Sequence, residues 1–166
     1  MACHLCLSAC PTHVLQPAFL EYGFLGMMKP RLDFTKAPCT YTCRECTVVC
    51  PDGALGRDGL ADKQLIRIGE AHLDVEQCIV KTKGTDCAAC SEQCPTQAVT
   101  TVPYGQNLRL PQLNADYCIG CGGCEFACPV LPRKAITVTG LQRHGRAKKP
   151  VEKKAVAPVP TGDFPF

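Results

Sequence analysis

The chain has 166 residues, a formal net charge of +3, 15 cysteines, 14 glycines, 14 prolines and no tryptophan. A short chain so rich in turn residues and so poor in aromatic residues cannot bury a large apolar core, and its cysteine content indicates disulfides or metal ligation. An odd number of cysteines argues against a complete disulfide framework, so bound metal is expected to replace the core, and the metal-free chain should fold poorly.

Charge is unevenly distributed between the body of the chain and its end. Residues 1–140 hold 12 Lys and Arg against 13 Asp and Glu, whereas residues 141–166 hold six basic residues against two acidic ones. Metal ligation by thiolates would make the body more acidic, which disfavours nucleic acid as its partner. No apolar run is long enough for a transmembrane helix, and the first residues lack the pattern of a signal peptide.

The cysteines lie in four groups, and each group ends with Cys-Pro. In chain order the groups are Cys3-x2-Cys6-x3-Cys10, Cys39-x3-Cys43-x2-Cys46-x3-Cys50, Cys78-x8-Cys87-x2-Cys90-x3-Cys94 and Cys118-x2-Cys121-x2-Cys124-x3-Cys128. The fourth group has the spacing that binds a [4Fe–4S] cluster in two-cluster ferredoxins, in which the last cysteine of a run binds the other cluster. The four groups therefore predict that all 15 cysteines bind iron–sulfur clusters arranged in pairs.

The residues around these groups favour iron–sulfur ligation over the alternatives. In the fourth group, Gly120, Gly122 and Gly123 allow positive φ values and a close approach of the backbone to a cluster. A structural zinc protein needs two C-x2-C pairs for each site and has no use for the repeated x3-Cys-Pro, so zinc is the weaker alternative, with disulfides behind it. The sequence contains no phosphate-binding loop, nucleotide motif or catalytic triad, and no catalytic residue is assigned.

The first group is one cysteine short of the sixteen that four clusters need. The missing cysteine would precede Cys3 by three positions, before Met1, and we interpret the chain as beginning inside its first motif. The alternative is ligation by three cysteines, which gives a [3Fe–4S] cluster or a [4Fe–4S] cluster with one open iron. An open iron is a Lewis acid, so this alternative predicts an iron–sulfur enzyme. His4 and His13 flank the group, and we assign them loop or surface roles.

Between the groups, the sequence predicts short helices and strands. Residues 14–34, bounded by Pro17 and Pro30, predict a short helix that packs over a cluster, because five apolar residues recur at roughly helical spacing. These residues are Phe19, Leu20, Phe24, Leu25 and Met28. A second short helix is predicted at 60–68, and strands are predicted at 71–75, 98–102, 108–110 and 135–139. Residues 141–166, rich in Lys, Pro and Ala, predict an extended or disordered basic tail.

The order of the groups, with a widened third (CIVKTKGTDCAACSEQCP) and a regular fourth (CIGCGGCEFACP), resembles the bacterial four-cluster ferredoxin-type proteins. The likeness covers about residues 1–140 and points to the NapG-like iron–sulfur subunits associated with periplasmic nitrate reductase, which carry 4Fe-4S dicluster domains. It implies an α+β, loop-rich fold of two nested ferredoxin-like units, the outer from about 1–14 and 112–140 and the inner from about 36–103. The second group departs from the family pattern, with x3 where x2 is commoner.

In that nested arrangement the first group pairs with the fourth and the second with the third. The resemblance implies four ligand sets, each with three cysteines from one group and one from its partner. The sets are Cys3, Cys6 and Cys128, with one ligand missing; Cys118, Cys121, Cys124 and Cys10; Cys39, Cys43, Cys46 and Cys94; and Cys78, Cys87, Cys90 and Cys50. Three to four [4Fe–4S] clusters are expected, or a [3Fe–4S] cluster in the incomplete set.

Ligation by four cysteines leaves no iron open to a substrate, so electron transfer is expected rather than catalysis. The resemblance implies a redox-complex subunit with redox-protein partners, relaying electrons between a quinol or membrane-side donor and a reductase. As it stands, the chain has neither a transmembrane segment nor an export signal, which predicts a cytoplasmic protein. If a twin-arginine signal precedes the printed sequence, the resemblance predicts the periplasmic side of the membrane.

Overall fold

The structure, a computed structural model, describes residues 3–56, 59–105 and 107–149. Within these ranges it contains both short helices and antiparallel strands, which confirms the predicted α+β class. The helices are α1 (Leu5–Ser8), α2 (Glu45–Val48), α3 (Leu60–Lys63), α4 (Ile79–Lys83), α5 (Ala89–Glu92) and α6 (Gly123–Ala127). The strands are β1 (Leu15–Pro17), β2 (Pro30–Leu32), β3 (Ile66–Leu73), β4 (Val99–Tyr104), β5 (Leu108–Leu113) and β6 (Ile136–Arg146). None of these helices is long and apolar enough to cross a membrane.

A single helical turn precedes the last cysteine of each of the four groups. The turns are α1, α2, α5 and α6, and each contains the last-but-one cysteine of its group. The chain leaves the helix before the Cys-Pro pair, and proline, which has no backbone N–H, prevents the helix from continuing. The repeated x3-Cys-Pro thus encodes the same local structure four times: one helical turn followed by a cysteine that leaves its own loop.

The strands form three separate antiparallel pairs in the described part of the chain. β1 pairs with β2 over three residues, with Leu15 opposite Leu32. β3 pairs with β6 from Leu73 opposite Ile136 to Ile66 opposite Arg146, and β4 pairs with β5 over six residues. The two longer pairs both lie after residue 65, so the C-terminal half has a frame of strands that the N-terminal half lacks.

The apolar core is small and joins the two halves. Val14 and Phe34, from the N-terminal half, are buried in one cluster with Val99, Ile136 and Val138 from the C-terminal strands. Cysteines from all four groups lie within this cluster or pack against it. Groups bound by these cysteines would therefore belong to the core, as the composition indicated.

Residues 14–34 form a hairpin whose only helical part is a 3-10 turn at Phe24–Gly26, so the helix predicted to pack over a cluster is wrong. Pro17 lies opposite Pro30 in the β1–β2 pair, and the left-handed backbone of Gly23 (φ 71°) and Met28 (φ 66°) turns the chain between them. A left-handed residue interrupts a right-handed helix, and the spacing of apolar residues gave no sign of it. The apolar side chains are exposed instead of packed over a cluster, and Leu25 is 94% exposed.

The helix predicted at 60–68 is present but shorter. It ends at Lys63, because Ile66 and Ile68 belong to β3, where a β-branched side chain fits better than in a helix. The strand predicted at 71–75 overlaps the end of the same β3. The sequence predicted a longer helix and a shorter strand in this segment than the structure contains.

The other three strands are present at their predicted positions. β4 and β5 correspond to the strands predicted at 98–102 and 108–110, and β6 corresponds to the one predicted at 135–139. β6 continues to Arg146, so the boundary of the basic tail expected at 141 falls inside a strand. The tail from residue 150 onward lies outside the described residues.

Candidate metal centres

All 15 cysteines lie in the described part of the chain, and all are free thiols. Their side chains come together in four sets, which we name sites A to D. Site A contains Cys3, Cys6 and Cys50; site B contains Cys10, Cys39, Cys43 and Cys46; site C contains Cys94, Cys118, Cys121 and Cys124; and site D contains Cys78, Cys87, Cys90 and Cys128. Each site combines the opening cysteines of one group with the last cysteine of another, which is the exchange typical of two-cluster ferredoxins.

The partners of the last cysteines differ from the nested arrangement that the resemblance implied. The opening cysteines of each group, two in the first group and three in each of the others, lie in the same site. Cys10, however, lies with the second group, Cys50 with the first, Cys94 with the fourth and Cys128 with the third. The first two groups thus form one pair of sites and the last two another, and the nested pairing is corrected to a sequential one.

Local packing explains the sequential pairing. α1 packs against α2, and α5 packs against α6, so the helical turns of consecutive groups lie side by side. Each exchanged cysteine follows one of these turns by one or two residues and therefore needs only a short path to reach its neighbour's site. A nested arrangement would instead require α1 to pack against α6.

The cysteines of sites B, C and D surround cavities of different sizes. The cavity at site B is about 150 Å³, and those at sites C and D are about 10 and 20 Å³. At each of the three, four thiols from two cysteine groups face one space, and the remaining lining is mostly apolar. This donor set fits a thiolate-ligated iron–sulfur cluster.

Burial makes several of these thiols poor acids on their own. Burial, together with the charges of neighbouring thiols, raises the pKa of Cys46, Cys90 and Cys121 to about 11. The pKa of Cys124 rises even more for the same reasons. Four thiolates crowded into an apolar space require compensating cations, and iron ions at the centre of the set would supply them.

Two of the exchanged cysteines have the opposite environment. Burial opposes ionisation of Cys10, but backbone N–H groups of Leu15, Thr12 and Val14 outweigh it, so its pKa is lowered. The pKa of Cys50 is lowered chiefly by the backbone N–H of Leu55, with further N–H groups of residues 52–54 contributing. The loop after each of these Cys-Pro pairs is therefore built to stabilise a thiolate.

Threonine hydroxyls repeat at the same position after two of the Cys-Pro pairs. Thr12 Oγ1 lies 3.7 Å from Cys10 Sγ, and Thr96 Oγ1 lies 3.7 Å from Cys94 Sγ. Thr96 is 3% exposed, so its hydroxyl lies in the protein interior. Hydrogen bonds of this kind adjust the reduction potential of a cluster.

The geometry does not support a single metal ion. Among the described residues, no three His, Cys, Asp or Glu side chains lie close enough to hold one. A tetrahedral zinc ion with Zn–S bonds near 2.3 Å would hold its sulfur atoms only about 3.8 Å apart. A four-iron cluster binds one thiolate at each iron and so needs a wider set of cysteines.

Sites B and C meet at a backbone hydrogen bond. The N–H of Cys39 donates to the carbonyl oxygen of Cys121 at 2.7 Å, and the Cys39 thiol adds to the raised pKa of Cys121. Sites A and B exchange their last cysteines with each other, and so do sites C and D. With the contact between B and C, the four sites therefore lie in the order A, B, C, D. The central step of this row is the Cys39–Cys121 peptide contact.

Two of the three glycines of the fourth group have the positive φ values that the sequence predicted. Gly120 and Gly122 have positive φ values of 68° and 82°. A Cβ on Gly120 would lie 2.2 Å from the backbone of Gly69, and one on Gly122 would lie 2.4 Å from the ring of Phe34. Gly123 has no positive φ, but a Cβ there would lie 3.0 Å from the carbonyl oxygen of Gln93.

Sequence reasoning missed Gly69, Lys63 and His144. Gly69 lies inside β3, where an isolated glycine signals a close approach of another backbone, so its signal was available. Lys63 and His144 line the site B cavity, and nothing in their sequence surroundings marks them. His4, assigned a loop role, hydrogen-bonds the carbonyl oxygen of Met28 through Nε2 at 2.7 Å.

The family profile of the 4Fe-4S dicluster domain matches residues 83–132. This range contains every cysteine of sites C and D except Cys78. The matched segment therefore coincides with one sequential pair of sites.

Curated ferredoxin-type proteins are similar to this chain over most of its length. The methylamine utilization ferredoxin-type protein MauM of Methylorubrum extorquens is 34% identical over 157 residues, covering 87% of this chain and 69% of that protein. The ferredoxin-type protein NapG of Escherichia coli is 36% identical over 150 residues, covering 84% and 63%. The ferredoxin-type protein NapF of the same species is 27% identical over 142 residues, covering 86% and 76%.

Proposed function

Because the chain belongs to the ferredoxin-type [4Fe–4S] proteins, an electron-transfer family and not an enzyme family, we propose that sites A to D form one continuous electron relay. Its ligands are the 15 cysteines grouped as in the structure, with three of them at site A. The donor is a quinol or membrane-side redox protein and the acceptor is a reductase. The relay has two ends, site A and site D, at which these partners exchange electrons with the chain.

The chemistry of the relay is simple. When bound by these cysteines, a [4Fe–4S] cluster would supply one-electron transfer without a net proton transfer. The protein supplies ligands, exclusion of water and hydrogen bonds. Val14, Phe34 and Ile136 are buried around the cysteines and keep water out, and the N–H groups after Cys10 and Cys50 stabilise negative charge on those ligands.

The observation that carries this proposal is the grouping of the cysteines. Three sites have four thiols around one cavity, and the Cys39–Cys121 hydrogen bond of 2.7 Å connects the two pairs of sites. Exchange of the last cysteine couples A to B and C to D. Each pair of neighbouring sites in the row is therefore connected through a ligand or its backbone.

Measurement of iron and sulfide tests whether the four sites bind iron–sulfur clusters. Protein prepared without oxygen should contain about 16 iron and 16 sulfide per chain, or about 15 iron with a three-iron cluster at site A. Interacting [4Fe–4S] signals should appear in the EPR spectrum of the dithionite-reduced sample. Zinc without sulfide would contradict the proposal.

A double variant distinguishes the sequential pairing from the nested one. Cys90→Ala and Cys128→Ala both remove ligands of site D, so the double variant should lose one cluster and keep about 12 iron. In the nested pairing the same change would empty two sites and leave about 8. Cys90→Ala combined with Cys121→Ala, which removes ligands of sites D and C, is the matched control and should leave about 8 in either case.

A further inference from the structure

Lys63 places a positive charge beside site B. It is the last residue of α3, is half-buried, and lines the same cavity as Cys10, Cys39, Cys43 and Cys46. Its Nζ donates to the carbonyl oxygens of Thr40 at 2.6 Å and Tyr41 at 3.3 Å. Both acceptors lie in the loop between Cys39 and Cys43, so the ammonium group is fixed against the ligand loop of the site.

The position of Lys63 depends on the irregular spacing of the second group. This group has three residues between its first two cysteines where the fourth group has two. Thr40 and Tyr41 belong to that longer loop, and both turn their carbonyl oxygens to the lysine. The extra residue and the lysine on α3 therefore form one local arrangement, which the other cysteine groups do not repeat.

The charge of Lys63 faces the thiols of site B, because its side chain lines the same cavity as Cys39 and its ammonium group is held against the loop that follows Cys39. Arg67 is the residue at site C to compare with Lys63, because it is also a cation that is hydrogen-bonded to a ligand loop. It donates to the carbonyl oxygens of Cys118 at 3.1 Å and Ala115 at 2.5 Å. Arg67 does not line the site C cavity, whereas Lys63 faces into that of site B.

We propose that Lys63 raises the reduction potential of site B above that of site A, so that an electron in the N-terminal pair is held mainly at site B. This inference depends on the proposed relay. In the step concerned, one electron leaves site A, which is oxidised, and enters site B, which is reduced; no bond changes and no proton moves. Reduction adds negative charge at site B, and a fixed ammonium group beside the ligands stabilises that charge.

The test is a potentiometric titration of the cluster-loaded full chain, followed by EPR. Lys63→Met removes the charge, Lys63→Gln removes the charge but keeps a hydrogen-bond donor, and Lys63→Arg keeps both. The two uncharged variants should move one component of the titration to lower potential and leave the others in place, while Lys63→Arg should resemble the parent. Lys83→Met, at the exposed end of α4, is the control for removing a lysine that lines none of the three cavities and should shift nothing.

Iron and sulfide are measured on the same samples. If Lys63→Gln keeps its iron and its titration matches the parent, the electrostatic role of Lys63 is overturned. If both uncharged variants lose the iron of one site while Lys63→Arg keeps it, Lys63 holds the loop instead, and the proposal is equally overturned. Failure of the relay itself would look different, because the parent protein would contain no iron or sulfide.

Discussion

The N-terminal half of the chain holds sites A and B with little secondary structure, whereas the C-terminal half holds sites C and D on two strand pairs. β1 and β2 have three residues each, while β3 and β6 have eight and eleven. The cavity at site B is about 150 Å³, against about 10 and 20 Å³ at sites C and D. The thiols of sites C and D line small cavities, whereas those of site B share a larger cavity with side chains of β1, β2 and β6.

The comparison indicates that the two halves depend on their clusters to different degrees. Strand pairing and apolar burial stabilise the C-terminal half without any bound group. The N-terminal half has a three-residue hairpin, and several of its large apolar side chains are exposed, including Phe24 at 81%. A short two-stranded hairpin is barely stable alone, so cluster binding must supply much of the folding free energy there.

Removal of the clusters should therefore have the largest effect and should act unevenly. After oxidation and chelation of the iron, we expect amides of β1 and β2 to exchange at least roughly tenfold faster than in the loaded protein. Amides of β3 and β6 should change much less, because their pairing does not require a ligand. Hydrogen exchange followed by mass spectrometry measures both regions in one sample. Equal loss of protection in the two regions would show that the C-terminal strands depend on the clusters as much as the hairpin does.

The close approach of Gly69 and Gly120 should be the least tolerant point of the C-terminal half. A Cβ on Gly120 would lie 2.2 Å from the Gly69 backbone at a φ of 68°, so Gly120→Ala should cost on the order of 4 kcal/mol of folding free energy. Gly84→Ala is the matched control: its φ is 61°, but a Cβ there would meet nothing within 4 Å. Backbone strain alone should make the control cost only about 1–2 kcal/mol. Thermal unfolding of loaded protein measures both variants, and similar losses would mean that crowding at Gly69 is unimportant.

Much of the site could be predicted because the spacing of the cysteines identifies them as ligands. The spacing of the cysteines identified the four groups, and the fixed effect of proline after cysteine gave each group the same helical turn. Gly120 and Gly122 were recognised because a tight loop around a cluster needs positive φ values. Strands β4 and β5 followed from local composition, which is enough when a strand pairs with its neighbour in the chain.

The parts that could not be predicted depend on contacts between distant residues. The pairing of the groups is decided by the packing of α1 on α2 and of α5 on α6, and spacing within a group carries no information about it. The hairpin at 14–34 was taken for a helix, because Gly23 and Met28 reverse the chain in a stretch where apolar residues happen to recur every few positions. Lys63 lies 24 residues after Cys39 and reaches its loop only through the placement of α3.

The smallest expected effect concerns a buried polar contact that only the C-terminal half has. The buried polar side chains of the described residues are Thr96 and Glu125, and both belong to this half. Glu125 Oε2 accepts a hydrogen bond of 2.6 Å from the backbone N–H of Val138. This bond connects α6 to β6 beside Cys124. Glu125→Ala would leave that N–H buried without an acceptor and should cost about 1–3 kcal/mol of folding free energy. Glu125→Gln keeps an acceptor of the same length and should cost less, with urea unfolding of the loaded protein as the measurement. If the alanine and glutamine variants unfold at the same urea concentration, the hydrogen bond does not contribute to the stability of the C-terminal half, and strand pairing and apolar burial must account for it.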